Sequence, residues 1–312
     1  MNRVNIVITN RVLRYSFHKG PKIEEMVDHG EIELPTGMLK DGHIEDRIGF
    51  LSIIKHLVNE HKWKRRRLYF SMPDDTVVIR ELEVPVGLTK EEALGYVKTQ
   101  IGTSFYLPFH DPALDIDYVN EEIEETAERQ KVLVYAYPQG KITEFQDVFM
   151  EAGLDPYAAD LTSLSVYRLY YLYSDEDLTA ADMHVLLIHW NSEALVLTAF
   201  KEHKAVFTRH IKVDNKDEEE GTSQSEYAEQ KAKIQINELM TEINRIIDFY
   251  QYSITGGKAQ INRLLLSGDF PYLDTVETML KEQVEIPIEP FTAVRLPRKF
   301  IDVLGLGVKE DI

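Results

Sequence analysis

Cysteine is absent from all 312 residues, which excludes disulfides, thiolate nucleophiles and zinc ribbons. A reducing compartment suits such a chain. No stretch approaches the roughly 18 apolar residues that a spanning helix needs. The first ten residues hold no apolar core of signal-peptide length, so the expectation is a soluble, unexported protein. Positive charge is scarce: 35 Lys and Arg face 53 Asp and Glu, a net charge of -18. That balance repels nucleic acid and anionic lipid at long range and argues against a nucleic-acid partner. There is no Gly-x-Ser-x-Gly elbow and no Walker-type lysine loop. His184, His189, His203 and His210 are scattered without evident ligand partners, and Asp111, Asp115 and Asp117 lack the Gly and closing Glu of a calcium loop. No metal is expected.

What is present is globular: 44% hydrophobic and 28% charged residues, with length enough for two core-bearing lobes. The stretch from Val84 to Phe109 organises the first half. Thr89 and Glu92 make a capping box, Leu88 can staple onto Ala93, and Leu94, Val97 and Ile101 recur on one face. Gly102 stands where a left-handed cap is wanted, and Pro108 stops any helix.

Around it, elements fall in a repeated order. Asn5 to Ile8, Val12 to Phe17 and Val27 to Leu34 read as strands. A helix from about Ile44 to Asn59 carries Ile48, Leu51, Ile54, Leu57 and Val58, and strands follow at Arg67 to Met72 and Val77 to Val84. The second copy has strands at Met183 to Ile188, Ala194 to Phe200 and Ala205 to Val213. A long helix, Tyr227 to Ser253, ends at Gly256-Gly257, and Arg263 to Ser267 is the returning strand. A duplicated three-strand, helix, strand unit is the plan of the actin, Hsp70 and sugar-kinase fold. The expected class is α/β, an actin-like (ribonuclease H-like) two-lobe fold with an inserted α+β subdomain. Residues 1–82 and 157–181 would form the first lobe, 83–156 the insert, and 182–312 the second lobe. The insert adds strands at Ile116 to Val119 and Lys131 to Tyr137, and a helix over Lys141 to Ala152 with Ile142, Phe145, Val148 and Phe149 inward. The acidic runs Glu121 to Arg129 and 214–226 read as solvated loops. Lys62-Trp63-Lys64-Arg65-Arg66-Arg67 is the one basic cluster. It reads as cations complementing a helix C-terminus, or as a contact to acidic lipid or an acidic partner.

Several segments resemble the type IV pilus assembly PilM family. They are Met38 to Ile44 before the first long helix, Leu82-Glu83-Val84-Pro85, the acidic helix Lys90 to Gln100, Tyr106-Leu107-Pro108-Phe109, and Phe149 to Pro156. The resemblance runs from about Val4 to Leu306. It implies the actin-like fold and a cytoplasmic assembly component at the inner face of the cell membrane. The machine served would be a type IV pilus, a competence pseudopilus or a type II secretion system. The implied partner is the N-terminal cytoplasmic tail of a single-span PilN-like inner-membrane protein, held in a groove between the first lobe and the insert. Tyr96, Phe105, Tyr106, Leu107 and Phe109 are the candidate contacts, since an apolar tail needs an aromatic-rich site; core packing would use the same residues. A homo-oligomer is left open.

Actin-fold ATPases bind phosphates with two hairpins of the type Asp-x-Gly plus small hydroxylic residues. Here Val7 falls at the first Asp and Thr9 at the Gly, with Ile188 and Trp190 at the second pair. A shift of one residue puts His189 and Asn191 there instead. The adenosine-side glycine run keeps Gly268 but continues Asp269, Phe270. The expectation is a degenerate nucleotide site, no cofactor and no catalysis. The rivals are an ATP-binding actin-like assembly ATPase and a small-molecule kinase using Asp182.

Overall fold

A computed structural model describes residues 2–119, 128–174, 183–213, 225–292 and 294–310. Asp182, most of the 121–129 link and most of the 214–226 run lie outside the described residues. The chain divides into two compact units: 1–20, 25–161 and 206–208 form one, and 21–24, 162–205 and 209–312 form the other.

The first unit opens with β1 (Arg3–Ile8), β2 (Val12–His18) and β3 (Met26–Glu33), an antiparallel meander. A two-residue hairpin, β4 (Leu39–Lys40) and β5 (His43–Ile44), leads into α1 (Arg47–Glu60), whose N-terminus is capped by Asp46 accepting from the Gly49 amide. β6 (Arg67–Met72) then inserts parallel to β1. β7 (Val78–Pro85), α2 (Lys90–Gln100), β8 (Pro112–Tyr118) and β9 (Arg129–Pro138) follow, then α3 (Gln139–Glu151) and β10 (Asp155–Leu161). The main sheet runs β10-β6-β1-β2-β3, and a separate sheet runs β7-β9-β8. Every residue of β1 is buried, as a central strand covered on both faces requires.

The second unit holds α4 (Thr162–Tyr173), β11 (His184–Trp190), β12 (Ala194–Lys201), the ends of β13 (Lys204–Lys212), whose residues 206–208 group with the first unit, and α5 (Ser225–Phe249), which widens into a π turn over Tyr250–Ile254. β14 (Arg263–Ser267), α6 (Leu273–Gln283), β15 (Ile288–Glu289) and α7 (Ile301–Gly307) complete it. The sheet order is β13-β12-β11-β14-β15, with β14 parallel to β11. Both units therefore build a hairpin, a third antiparallel strand, a helix, and a return strand parallel to the first. The turn from β12 to β13 uses Glu202 (φ 51°) and His203 (φ 67°), the two left-handed residues of a type I′ hairpin.

Two details depart from the sequence pattern. In α1 the buried stripe is Phe50, Ile54, Leu57 and Val58, while Ile48 is 83% exposed. Six residues at about 100° each carry Ile48 well round the helix from Ile54. Helix α4 groups with the second unit, whereas the sequence placed 157–181 with the first lobe. It packs on α7 at Gly305, where an added Cβ would stand 1.9 Å from the Ser165 carbonyl oxygen, and Arg168 donates to the Gly305 carbonyl at 3.1 Å.

Candidate functional site

The β1–β2 and β11–β12 turns are the two hairpins that the sequence aligns with the phosphate hairpins of actin-fold ATPases. Each loop has three residues and one closing bond: Thr9 N–H donates to the Val12 carbonyl (2.9 Å), and Asn191 N–H donates to the Ala194 carbonyl (2.8 Å). These bonds make Thr9 equivalent to Asn191 and Val7 to His189. The one-residue shift is thus the register that matches the two turns, and Ile188 and Trp190 sit one place earlier.

In the first turn Val7 is buried and pairs with Arg14 and Ser71 on the flanking strands. The Thr9 hydroxyl accepts from the Val12 amide at 3.0 Å and lies 3.2 Å from the Val12 carbonyl, so both polar groups of Val12 are held inside the loop. Val7 itself brings no carboxylate to this position.

The second turn is filled. Ile188 is fully buried on β11 between Leu197 and Leu266. The Trp190 indole is fully buried and stacks on Phe270, with centroids 4.8 Å apart and planes 16° off parallel. Phe270 N–H donates to the Trp190 carbonyl at 3.0 Å. Gly268, at φ 121°, lets the backbone make this approach: a Cβ there would sit 2.0 Å from the Trp190 carbonyl oxygen. Next to it, Asp269 Oδ1 accepts from the Ser192 amide at 2.9 Å and lies 3.5 Å from the Ser192 hydroxyl. A loop amide of the kind that would meet a phosphate oxygen already faces a carboxylate. The imidazole of His189 is held by Ser267 Oγ at Nδ1 (2.8 Å) and by the Asn191 amide nitrogen at Nε2 (3.1 Å). The other histidines are dispersed: His184 meets the Tyr250 hydroxyl at 2.6 Å and His203 the Tyr167 hydroxyl at 2.9 Å. Burial, then the Glu202 charge, pushes the Tyr250 phenol well above its usual range, so it stays a neutral partner.

The segment after α2 is built as its sequence suggests. Thr89 and Glu92 cap the helix reciprocally, and hydrogen bonds to Thr89 hold the Glu92 carboxyl below its usual range. Gly102 (φ 82°) turns the chain, and Phe105 N–H returns to the Gln100 carbonyl at 3.0 Å. Of the five contact candidates, Phe105 is only 3% exposed and belongs to the core of the β7-β9-β8 layer with Val84, Ala93 and Val97. Tyr96, Leu107 and Phe109 are half-buried against that core, and Tyr106 is 73% exposed. An extended segment turns neighbouring side chains to opposite faces, so Phe105 inward leaves Tyr106 outward.

Lys141 on α3 was legible only as a helix residue. Its side chain is buried: Nζ donates to the Asp41 carbonyl at 2.6 Å and lies 3.6 Å from Asp75, clamping two loops.

Comparison with known proteins adds the lineage. No curated sequence matches the chain. A solved PilM–PilN type IV pilus biogenesis complex is similar at 18% identity over 99% of each chain, with a TM-score of 0.76. A Bacteroides thetaiotaomicron protein with an actin-like ATPase fold is similar at 12% identity over 99% of this chain and 96% of that one, TM-score 0.50. MreB5 of Spiroplasma citri bound to ADP is similar at 9% identity over 97% and 94%, TM-score 0.55. At these identities the likeness establishes the actin-like fold. The family described as type IV pilus assembly protein PilM matches residues 17–217. With well over half its length matched, the chain belongs to the type IV pilus assembly protein PilM family.

Proposed function

We propose that this pilus assembly protein is a docking scaffold that does not hydrolyse ATP, and that it holds the short cytoplasmic tail of a single-span PilN-like inner-membrane protein. The observation that carries the first half is the β11–β12 turn, where the Asp269 carboxylate meets the Ser192 amide and the Trp190–Phe270 stack fills the space beside it. An incoming phosphate would have to displace a like charge from that amide. The second half rests on the 83–156 insert. Tyr106 with the half-exposed Leu107, Phe109 and Tyr96 forms an apolar, aromatic contact surface of the kind that accepts a short apolar segment. Phe105 supports that surface from beneath. Through such a tail the protein sits at the inner face of the cell membrane.

Titrating Mg-ATP into a thermal-shift assay tests the first half. A micromolar site would stabilise the fold by about 4 kcal/mol at millimolar nucleotide. No saturable shift is expected, and one saturating at micromolar ATP overturns the scaffold in favour of the assembly ATPase. For docking, the probe is a peptide of the partner tail, with Tyr106→Ser/Leu107→Ser as the variant. Loss of two anchors is expected to weaken binding at least about tenfold. Equal binding by both proteins removes this surface from the proposal.

A further inference from the structure

Helix α1 carries no basic residue in its last turn; the basic cluster begins after the cap residue His61. Only Lys62 stands directly at the helix end; Lys64, Arg65 and Arg66 lie beyond it. The cluster is a rigid connection to β6, wound tightly by two left-handed residues, Lys62 (φ 58°) and Arg65 (φ 61°). Trp63 is its anchor, 2% exposed, stacked on His61 with centroids 4.5 Å apart and edge-on to Tyr15. The backbone is pinned on both sides. Trp63 N–H donates to the Val58 carbonyl (2.9 Å), Arg65 N–H to the Gly153 carbonyl (2.7 Å), and Asp155 N–H to the Arg66 carbonyl (2.9 Å).

On this frame Lys62, Lys64, Arg65 and Arg66 point to solvent, and among the described residues none of the four side chains has a hydrogen bond or ion pair. Nearby acids are otherwise engaged or few: Asp28 pairs with His61 at 2.9 Å, Glu60 with His56 at 3.4 Å, and Asp155 is exposed. A protein of net charge -18 thus keeps a fixed loop of four cations that have no ion pair among the described residues. Apolar surface adjoins it. Met150, whose carbonyl accepts from the Gly153 amide, is 55% exposed. Tyr157 is 39% exposed, with the Arg67 guanidinium 4.3 Å above its ring.

The geometry points to an anionic phospholipid surface as the ligand of this loop. A peptide adding as a strand finds no regular edge here, because the adjacent edge strand β10 is blunted. Pro156 offers no amide, and Tyr157 is an extra residue where the β10–β6 register shifts. Basic side chains with a Met and a Tyr beside them suit headgroups above and acyl boundary below. The overall negative charge does not forbid this, because charges beyond about 8 Å are screened at physiological ionic strength. The inference goes beyond the tail-docking proposal and does not depend on it.

Vesicle co-sedimentation of the full chain tests it with no membrane protein present. The probes are phosphatidylcholine vesicles with and without about one third phosphatidylglycerol, at low and high salt. Binding to the anionic vesicles only, weakened by salt, is expected. Each cation near the surface is worth about fivefold, so Lys64→Gln/Arg65→Asn/Arg66→Gln should weaken binding about 100-fold. These side chains make no hydrogen bond or ion pair among the described residues, and Asn tolerates the left-handed backbone at 65, so the variant should not melt below the parent. Met150→Ser should weaken the part of binding that survives high salt. No binding to anionic vesicles, or equal binding by the triple variant, overturns the inference. Poly-glutamate binding to the loop without vesicle binding would assign it to an acidic protein instead.

Discussion

The two hairpin turns share loop length and closing bond but are completed by different means. At β1–β2 the work is local: the Thr9 hydroxyl meets the amide of a residue three positions on. At β11–β12 it comes from afar, because Asp269, Gly268 and Phe270 follow β14, and Asp269 lies 77 residues from Ser192. The first turn can form as soon as its strands pair. The second is complete only once β14 has docked beside β11. A local hydroxyl leaves a turn slim, whereas the distant carboxylate and aromatic stack make the second turn part of the core of its unit.

The contrast makes ranked predictions, each read by urea unfolding followed by circular dichroism. Trp190→Ala should cost most, about 3–5 kcal/mol, by emptying a fully buried, stacked site. Trp190→Phe should cost far less, since the buried indole N–H has no acceptor to lose. Next, Asp269→Ala should cost about 2 kcal/mol by leaving the Ser192 amide without its charged acceptor, and Asp269→Asn less, because an amide oxygen still accepts. Thr9→Val should cost least, about 1 kcal/mol, with Thr9→Ser close to neutral. If Thr9→Val proved as damaging as Trp190→Ala, the two turns would not differ as described. Retained stability in Asp269→Ala would leave the stack alone as the filling of the second turn.

Much of this was written in local pattern. The Thr89–Glu92 box, the Gly102 turn and the return strand Arg263–Ser267 stand where spacing and capping chemistry put them, because each depends on neighbours within a few residues. Other features were hidden for one physical reason: their partners are distant in the chain. In the sequence Asp269 is only an interruption of the glycine run; folded, it is the acceptor for Ser192. An apolar run with three aromatics does not say that Phe105 turns inward and Tyr106 outward. Nor does it reveal that Thr9 matches Asn191, since backbone bonds, not residue types, make them equivalent.

The sequence by itself determined the repeated order of strands and helices and the lack of an Asp-x-Gly at either hairpin turn, because periodicity and residue chemistry are properties of short segments. Only the tertiary structure decided what stands there instead, which aromatic reaches solvent, which backbone carbonyl the buried Lys141 holds, and that the four cations of the basic loop have no ion pair among the described residues. Those outcomes depend on contacts between residues tens of positions apart, which burial and packing select after the local elements exist.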